Sequence, residues 1–167
     1  SSITKENDNG TKDIDKIKSI EFKNVKMSYD KENIILENIN LKIEKPMTIA
    51  IVGKSGSGKT TLVNLIPRFY ELTNGNILIN NIDYKEYKLD ELRKNISYVF
   101  QEPVILNMSI KDNLMYGLDV EFEDVKKVCI KLGLDNKIMS LPNGYDTLIN
   151  AKTDLLSFGE KQLLSYA

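Results

Sequence analysis

The residues best suited to chemistry lie between two apolar stretches. Residues 48–66 read "TIAIVGKSGSGKTTLVNLI", and Gly53, Gly58, Lys59 and Thr60 satisfy the pattern G-x-x-x-x-G-K-[ST]. Glycines let the backbone wrap closely around an anion and point several N–H groups at it. A helix that begins at such a loop adds unpaired N–H groups and the positive end of its dipole. The pattern therefore predicts the binding of a nucleoside triphosphate.

Each residue of this loop has an expected role. Lys59 is expected to act in catalysis by reaching the β- and γ-phosphates, and the Thr60 hydroxyl is expected to coordinate Mg²⁺. The alternative is a glycine- and serine-rich turn that contains a lysine by chance, and the predicted strand before the loop and helix after it argue against that alternative. The residues expected to contact the nucleotide here are Gly53, Lys54, Ser55, Gly56, Ser57, Gly58, Lys59, Thr60 and Thr61.

The elements around the loop follow from periodicity and punctuation. Residues 1–19 are polar without apolar periodicity, which predicts a linker or tail, and the first two serines could come from cloning. Alternation and apolar runs predict strands at "IEFKNVKMSY", "NINLKIE", "MTIAIV", "GNILIN" and "ISYVF". Helical spacing predicts helices at 60–66, ended by Pro67, at "LDELRK" and at 121–132, ended by Gly133. Helices dominate the remainder.

Composition limits the classes of function. The 167 residues fit one domain, and 28% are charged with a formal net charge of -1, which gives no basic surface for nucleic acid. The single cysteine, Cys129, excludes a disulfide framework and favours a reducing compartment. No apolar run reaches the roughly 18 residues that a membrane-spanning helix needs, and the polar start is unlike a signal peptide.

A second cluster, "LLSFGEKQLLSYA" at 155–167, makes a resemblance specific. The chain resembles the nucleotide-binding domain of an ABC transporter, whose signature LSGGQ corresponds to Leu156, Ser157, Phe158, Gly159 and Glu160. The resemblance covers residues 20–167, and segments such as "IPRFYELTNGNILIN" and "LPNGYDT" are similar to the exporter branch in particular. Ser157 and Glu160 also fit a capping box, in which each side chain satisfies the other residue's backbone N–H. The two interpretations are compatible.

The resemblance implies roles for residues outside the loop. Tyr29 stands where the family carries an aromatic residue that stacks on adenine, although it could be an ordinary strand-end tyrosine. Gln101 stands where the family has a glutamine that approaches Mg²⁺ and the attacking water, and the alternative is a plain loop residue. Ser157 and Gly159 are implied to contact the ATP held by a neighbouring copy.

The resemblance also implies a fold and partners. The expected fold is α/β, with a P-loop NTPase-type core, an N-terminal antiparallel β subdomain and a helical subdomain, incomplete at the C-terminus. In the family two such domains pair head to tail around two ATP molecules, and their closure drives a transmembrane domain. The implied setting is therefore the cytoplasmic face of a membrane, as part of a transporter of unknown substrate, with no nucleic acid as partner.

Two features set limits to the implied activity. The family's general base and histidine switch would follow Ala167, and the chain contains no histidine, so we expect an ATPase in an intact parent and an inactive fragment. Phe158 and Glu160 depart from the signature, and "INAKTDL" at 149–155 lacks the glycines and glutamate that are common there. Glu160 places a carboxylate near an expected triphosphate, which predicts weaker closure of the dimer.

Three alternatives stay open at this point. A DNA-maintenance ATPase of the same superfamily would need a long coiled coil between Gln101 and Leu156, and that stretch has no sustained heptads. A P-loop kinase or GTPase would share the loop but not the signature, and the guanine-reading N-K-x-D is absent. The third alternative, favoured by the altered signature, is a nucleotide-sensing partner domain that does not hydrolyse ATP.

Overall fold

The computed structural model describes residues 8–30, 33–150, 152 and 154–166. The chain divides into two compact units, residues 1–97 and 98–167. Residues 1–7 of the expected tail, including the first two serines, and residues 151 and 153 of the segment 149–155 lie outside the described residues. Each unit is described by itself.

The first unit is built on an antiparallel sheet of four strands in the order β2-β1-β3-β4. Alternating side chains of β1 and β3 point into a core under this sheet, as a period of two requires. Asn24, with φ of 49°, interrupts the β1–β2 register between Phe22 and Val25. The elements are β1 (Ile20–Ser28), β2 (Ile34–Ile43), α1 (Lys59–Asn64), β3 (Asn74–Ile79), β4 (Ile82–Asp83), a 3-10 turn (Tyr84–Glu86) and α2 (Leu89–Lys94).

The second unit is mainly helical. Its core is formed by apolar residues of its helices, among them Ile110, Cys129 and Ile138, which are fully buried. Gly133, with φ of 73°, ends α4 in the left-handed conformation that glycine adopts at low cost. The elements are β5 (Met108–Ser109), α3 (Ile110–Met115), α4 (Phe122–Lys131), α5 (Asp135–Met139), a 3-10 turn (Gly144–Asp146), β6 (Leu148–Ile149) and α6 (Phe158–Leu164), with β5 and β6 paired antiparallel.

The expected fold class is confirmed: the chain is α/β, with an antiparallel sheet in the first unit and helices in the second. The strands expected at 20–29, 38–44 and 75–80 are present as β1, β2 and β3. The helices expected at 60–66, 89–94 and 121–132 are present as α1, α2 and α4. Helix α1 ends before Pro67, whose ring cannot continue it.

Two predicted strands are wrong. Residues 47–52 and 96–100 have no regular secondary structure, and Val52 is 91% exposed. A strand exists only where a neighbour completes its hydrogen-bond ladder, and no described strand pairs with either segment. The apolar runs in these two segments predict strands, but a local pattern does not show whether a neighbouring strand is available for pairing.

Residues 8–19 are hydrogen-bonded to the rest of the first unit. Thr11 N and Lys12 N donate to Glu86 O at 2.9 Å, and Lys88 N donates to Lys12 O at 2.9 Å. Ile14 is buried in the core of the sheet unit. The domain boundary expected between residues 19 and 20 stays a prediction.

The side chain of Asn80 ties this segment to the turn between β3 and β4. Its amide oxygen accepts from Lys18 N at 2.7 Å and Ser19 N at 3.2 Å, and its amide nitrogen donates to Lys16 O at 2.8 Å. Asn80 has φ of 52°, a conformation that asparagine tolerates better than most residues. One side chain thus satisfies three backbone groups of the preceding segment.

Candidate nucleotide-binding site

The loop between residues 53 and 58 has the tight backbone that its glycines predict. Ser57 N donates to Lys54 O at 3.2 Å, and Gly56 and Gly58 have φ of 80° and 83°. A Cβ at Gly53 would lie 2.7 Å from Ser57 Oγ, whereas a Cβ at Gly56 would meet nothing within 4 Å. Glycine is therefore favoured at position 53 because a side chain would clash with Ser57, and at position 56 because the backbone is left-handed there.

Gly58 joins the loop to helix α1. It is the residue before the first helical position, and its carbonyl accepts from Leu62 N at 2.9 Å. A Cβ at this position would lie 2.7 Å from Leu36 Cδ2 of β2, so both the positive φ and the packing require glycine. The helix consequently begins directly against the sheet, with Lys59, Thr60 and Thr61 in its first turn.

Lys59 folds back over the loop that precedes it. Its Nζ donates to Gly53 O at 2.9 Å and to Lys54 O at 2.7 Å. These bonds hold the ammonium group beside the backbone carbonyls of the loop. The loop surface is accessible to a ligand, because four of its residues and flanking residues are exposed: Lys54, Ser55, Ser57 and Thr60.

The Thr60 hydroxyl is suited to bind a magnesium ion, because it offers an oxygen ligand and is accessible to solvent. Thr60 is exposed in the first turn of α1, and Mg²⁺ prefers oxygen ligands, including those of phosphates. Within the described residues no group of three histidine, cysteine, aspartate or glutamate side chains could hold a metal ion. The oxygen of Thr60 is thus a candidate ligand that would act together with phosphate oxygens.

Tyr29 follows the end of β1 and contacts α1. Its hydroxyl lies 2.9 Å from Thr61 Oγ1, and its ring packs edge to face on Tyr70, with centroids 4.9 Å apart and an interplanar angle of 79°. The structure therefore brings Tyr29 together with the first turn of α1. The contribution of Tyr70 was missed from the sequence, because only the fold brings a residue of the turn after α1 next to the end of β1.

The remaining expected site residues belong to the second unit. Gln101 is exposed in a bend, and Ser157 and Gly159 are exposed at the start of α6. Leu156 and Leu164 of the same segment are buried in the helical core, so α6 is anchored while its first residues face outward. Ser157 is not turned into the core.

The capping box expected at α6 is confirmed. Ser157 N donates to Glu160 Oε2 at 2.7 Å, and Glu160 N donates to Ser157 Oγ at 3.2 Å. The hydrogen bond from the Ser157 backbone lowers the pKa of Glu160 below its ordinary value, so the carboxyl group is charged at neutral pH. A Cβ at Gly159 would meet nothing within 4 Å, which leaves the backbone at this position open.

A glycine loop that opens a helix, with a lysine folded over it, is typical of P-loop nucleotide-binding proteins. The chain belongs to the ABC transporter family, whose model matches residues 36–167. The chain is an ATP-binding domain of this family and is homologous to exporters. No helix among the described residues has the length and apolar character needed to cross a membrane.

The relatives are much longer proteins. The chain is 40% identical over 149 residues to an ATP-dependent lipid A-core flippase of Syntrophus aciditrophicus, covering 89% of this chain and 25% of the flippase. It is 38% identical over 151 residues to the heterocyst differentiation ATP-binding protein HepA of a Nostoc species, covering 90% of this chain and 25% of HepA. The chain thus spans about a quarter of the length of these curated relatives.

The structural comparison agrees with the sequence comparisons. A solved structure of a bacterial Atm1-family ABC exporter with ATP bound matches with a TM-score of 0.84 at 33% identity. The match covers 94% of this chain and 28% of the exporter chain. The likeness therefore extends over nearly the whole chain and supports the P-loop NTPase-type fold.

Proposed function

We propose that the chain binds and hydrolyses ATP as the engine of an exporter and couples that reaction to movement of a substrate across a membrane. The observation that carries this proposal is the glycine loop at 53–58, which leads directly into α1 and over which Lys59 donates to two loop carbonyls. This arrangement presents several N–H groups and one cation to a single anion.

Lys59 has a physical reason to turn from the loop to a triphosphate. Its ammonium group is held by the neutral carbonyls of Gly53 and Lys54. Charge-assisted hydrogen bonds to anionic phosphate oxygens are stronger than bonds to neutral acceptors. Lys59 would therefore bind the β- and γ-phosphates, while Thr60 and Gln101 would supply oxygen ligands to Mg²⁺, which neutralises developing charge on the transferred phosphoryl group.

The proposed partners are those of the family to which the chain belongs. A second nucleotide-binding domain would pair head to tail with this one, so that Ser157 and Gly159 contact the nucleotide of the neighbouring copy. The transmembrane domain of the same transporter would receive the resulting motion, which places this chain at the cytoplasmic face of a membrane. The ATP molecules favour closure only because they bind both domains at once.

Nucleotide binding is tested by calorimetric titration of the intact gene product with Mg·ATP. We expect Lys59→Ala to weaken binding roughly 10- to 150-fold, the loss that corresponds to about 1.5–3 kcal/mol for a charge-assisted hydrogen bond. Lys45→Ala removes an exposed positive charge outside the loop and is the control. Equal affinities of Lys59→Ala and the wild type would refute the proposed site.

A nucleotide-sensing domain that does not hydrolyse ATP is the second candidate. It is favoured by Phe158 and Glu160, which depart from the family signature. Phosphate release from the purified intact protein separates the two functions. ATP-dependent closure without phosphate release would favour the sensing domain, and steady turnover would favour the engine.

A further inference from the structure

Two contacts hold the ring of Tyr29 from different sides. Thr61 Oγ1 lies 2.9 Å from its hydroxyl, and Tyr70 packs against the ring edge to face at a centroid distance of 4.9 Å. Tyr29 nevertheless remains 52% exposed, which leaves ring surface for a ligand. Its orientation is therefore fixed by neighbours without the ring being buried.

The backbone also ties the two tyrosines together. Ser28 N, next to Tyr29, donates to Thr73 Oγ1 at 2.9 Å, and Thr73 N donates to Lys26 O at 3.0 Å. These bonds join the end of β1 to the segment that leads from the Tyr70 turn into β3. The spacing between the two rings is thus set by the sheet and not by the rings alone.

Helix α2 holds the turn that carries Tyr70. Arg93 Nε donates to Pro67 O at 3.0 Å, and its Nη2 donates to Arg68 O at 3.2 Å. The same guanidinium lies 5.5 Å from the centre of the Phe69 ring. Three successive residues before Tyr70 are consequently fixed by one side chain, so Tyr70 is presented by a held turn rather than by a loose loop.

We propose that Tyr70 is a positioning residue for base recognition, which together with Thr61 holds the Tyr29 ring ready to stack on the adenine of bound ATP. This inference rests on the proposed function, because it takes the glycine loop at 53–58 and the first turn of α1 as the phosphate site. A ring that is oriented before the ligand arrives loses less conformational freedom on binding. Since Thr61 follows Lys59 and Thr60 in the same helical turn, one element places both the base and the phosphate contacts.

The test compares two ligands that differ in the base. Calorimetric titrations of the intact gene product use Mg·ATP and Mg·tripolyphosphate, which carries phosphates without adenosine. We expect Tyr70→Leu to weaken Mg·ATP binding about three- to tenfold, the range of an aromatic pair, and to leave Mg·tripolyphosphate binding unchanged. Tyr70→Phe keeps the ring and is expected to bind both ligands as the wild type does.

The ratio of the two affinities separates positioning from a general structural effect. An equal loss for both ligands in Tyr70→Leu would overturn the inference, and so would unchanged ATP binding. If Tyr70→Leu does not fold, Tyr70→Gln, which removes the ring at this 40% exposed position, takes its place with the same expected ratio. A wild type that binds tripolyphosphate and ATP equally would overturn this inference alone, whereas a wild type that binds neither would overturn the proposed function as well.

Discussion

Glu160 serves two opposed purposes at the start of α6. Its carboxylate accepts the Ser157 N–H at 2.7 Å, which stabilises the helix start. The same negative charge would repel a triphosphate bound there by a neighbouring copy. At a separation of about 6 Å and an effective dielectric near 20, two unit charges repel by about 3 kcal/mol before screening by salt.

We expect Glu160→Gln to strengthen ATP-driven closure and raise turnover roughly two- to tenfold at low ionic strength. The glutamine amide oxygen can still accept the Ser157 N–H, so the variant removes the charge and keeps the cap. Turnover and nucleotide-dependent cross-linking of the intact protein are the measurements. Glu123→Gln, in the first turn of α4, makes the same charge change at an exposed site and is the control. Unchanged closure and turnover would contradict the repulsion.

The thiol of Cys129 is expected to be unreactive in the folded protein. It is fully buried in the helical unit, and burial raises the pKa of its thiol, while a hydrogen bond with Tyr145 lowers it in part. Because the thiolate is the reactive form, we expect iodoacetamide to spare Cys129 in the native protein and to modify it after denaturation. Peptide mass mapping is the measurement.

A cysteine introduced at the exposed position Ser140 of the same unit, Ser140→Cys, is the control for this labelling. It is expected to react readily in the native protein, since its thiol would be in water. Native labelling of Cys129 at a rate similar to that of the introduced cysteine would show that the helical core opens freely, contrary to the buried cluster around it.

The turn between β3 and β4 gives a prediction at the scale of elements. Asn80 and Asn81 both have left-handed backbone conformations, with φ of 52° and 64°. In the part of the chain that the structure describes, the side-chain hydrogen bonds from this turn to residues 16–19 come from Asn80. We expect Asn80→Ala to speed hydrogen exchange at Lys18 N and Ser19 N roughly 5- to 150-fold, because about 1–3 kcal/mol of hydrogen bonding is lost. Asn81→Ala places the same strain on the neighbouring residue and is expected to leave those amides protected.

Elements with local signals could be predicted from the sequence down to their bounds. "LDELRK" gave α2 with its observed bounds, since acidic residues begin it and basic residues end it, as the helix dipole favours. The glycine loop followed by α1 is equally local. The strand expected at 47–52 failed, because pairing depends on residues far away in the sequence. The roles of Tyr70 and Arg93 were missed for the same reason.

Residues 47–52 of the first unit form an apolar segment whose side chains are exposed to solvent. Met47, Ile49, Ile51 and Val52 are all at least 40% exposed. Exposed apolar patches of this kind promote association and bind apolar dyes. We expect a polypeptide of these 167 residues, expressed alone, to bind anilinonaphthalene sulfonate and to elute from a sizing column ahead of a compact monomer.

Replacing three of these side chains with serine, in Ile49→Ser, Ile51→Ser and Val52→Ser together, is expected to reduce both dye binding and association. Lys45→Ser changes a nearby exposed residue without removing apolar surface and is the control. A 167-residue polypeptide that is monomeric and does not bind the dye would contradict the exposure of the segment in the structure.

The docking of residues 8–19 determines how the first unit responds to mechanical load. Lys12 forms a parallel β-bridge with Tyr87. Asp8 Oδ1 accepts a hydrogen bond from the N–H of Leu89, the first residue of α2, at 3.0 Å. We therefore expect a pulling force applied at Asp8 to load the hydrogen bonds to residues 86–89 first, and to load β1 only after they break. Arg93 of α2 donates to the turn before Tyr70, so we expect a load on α2 to reach the aromatic pair as well.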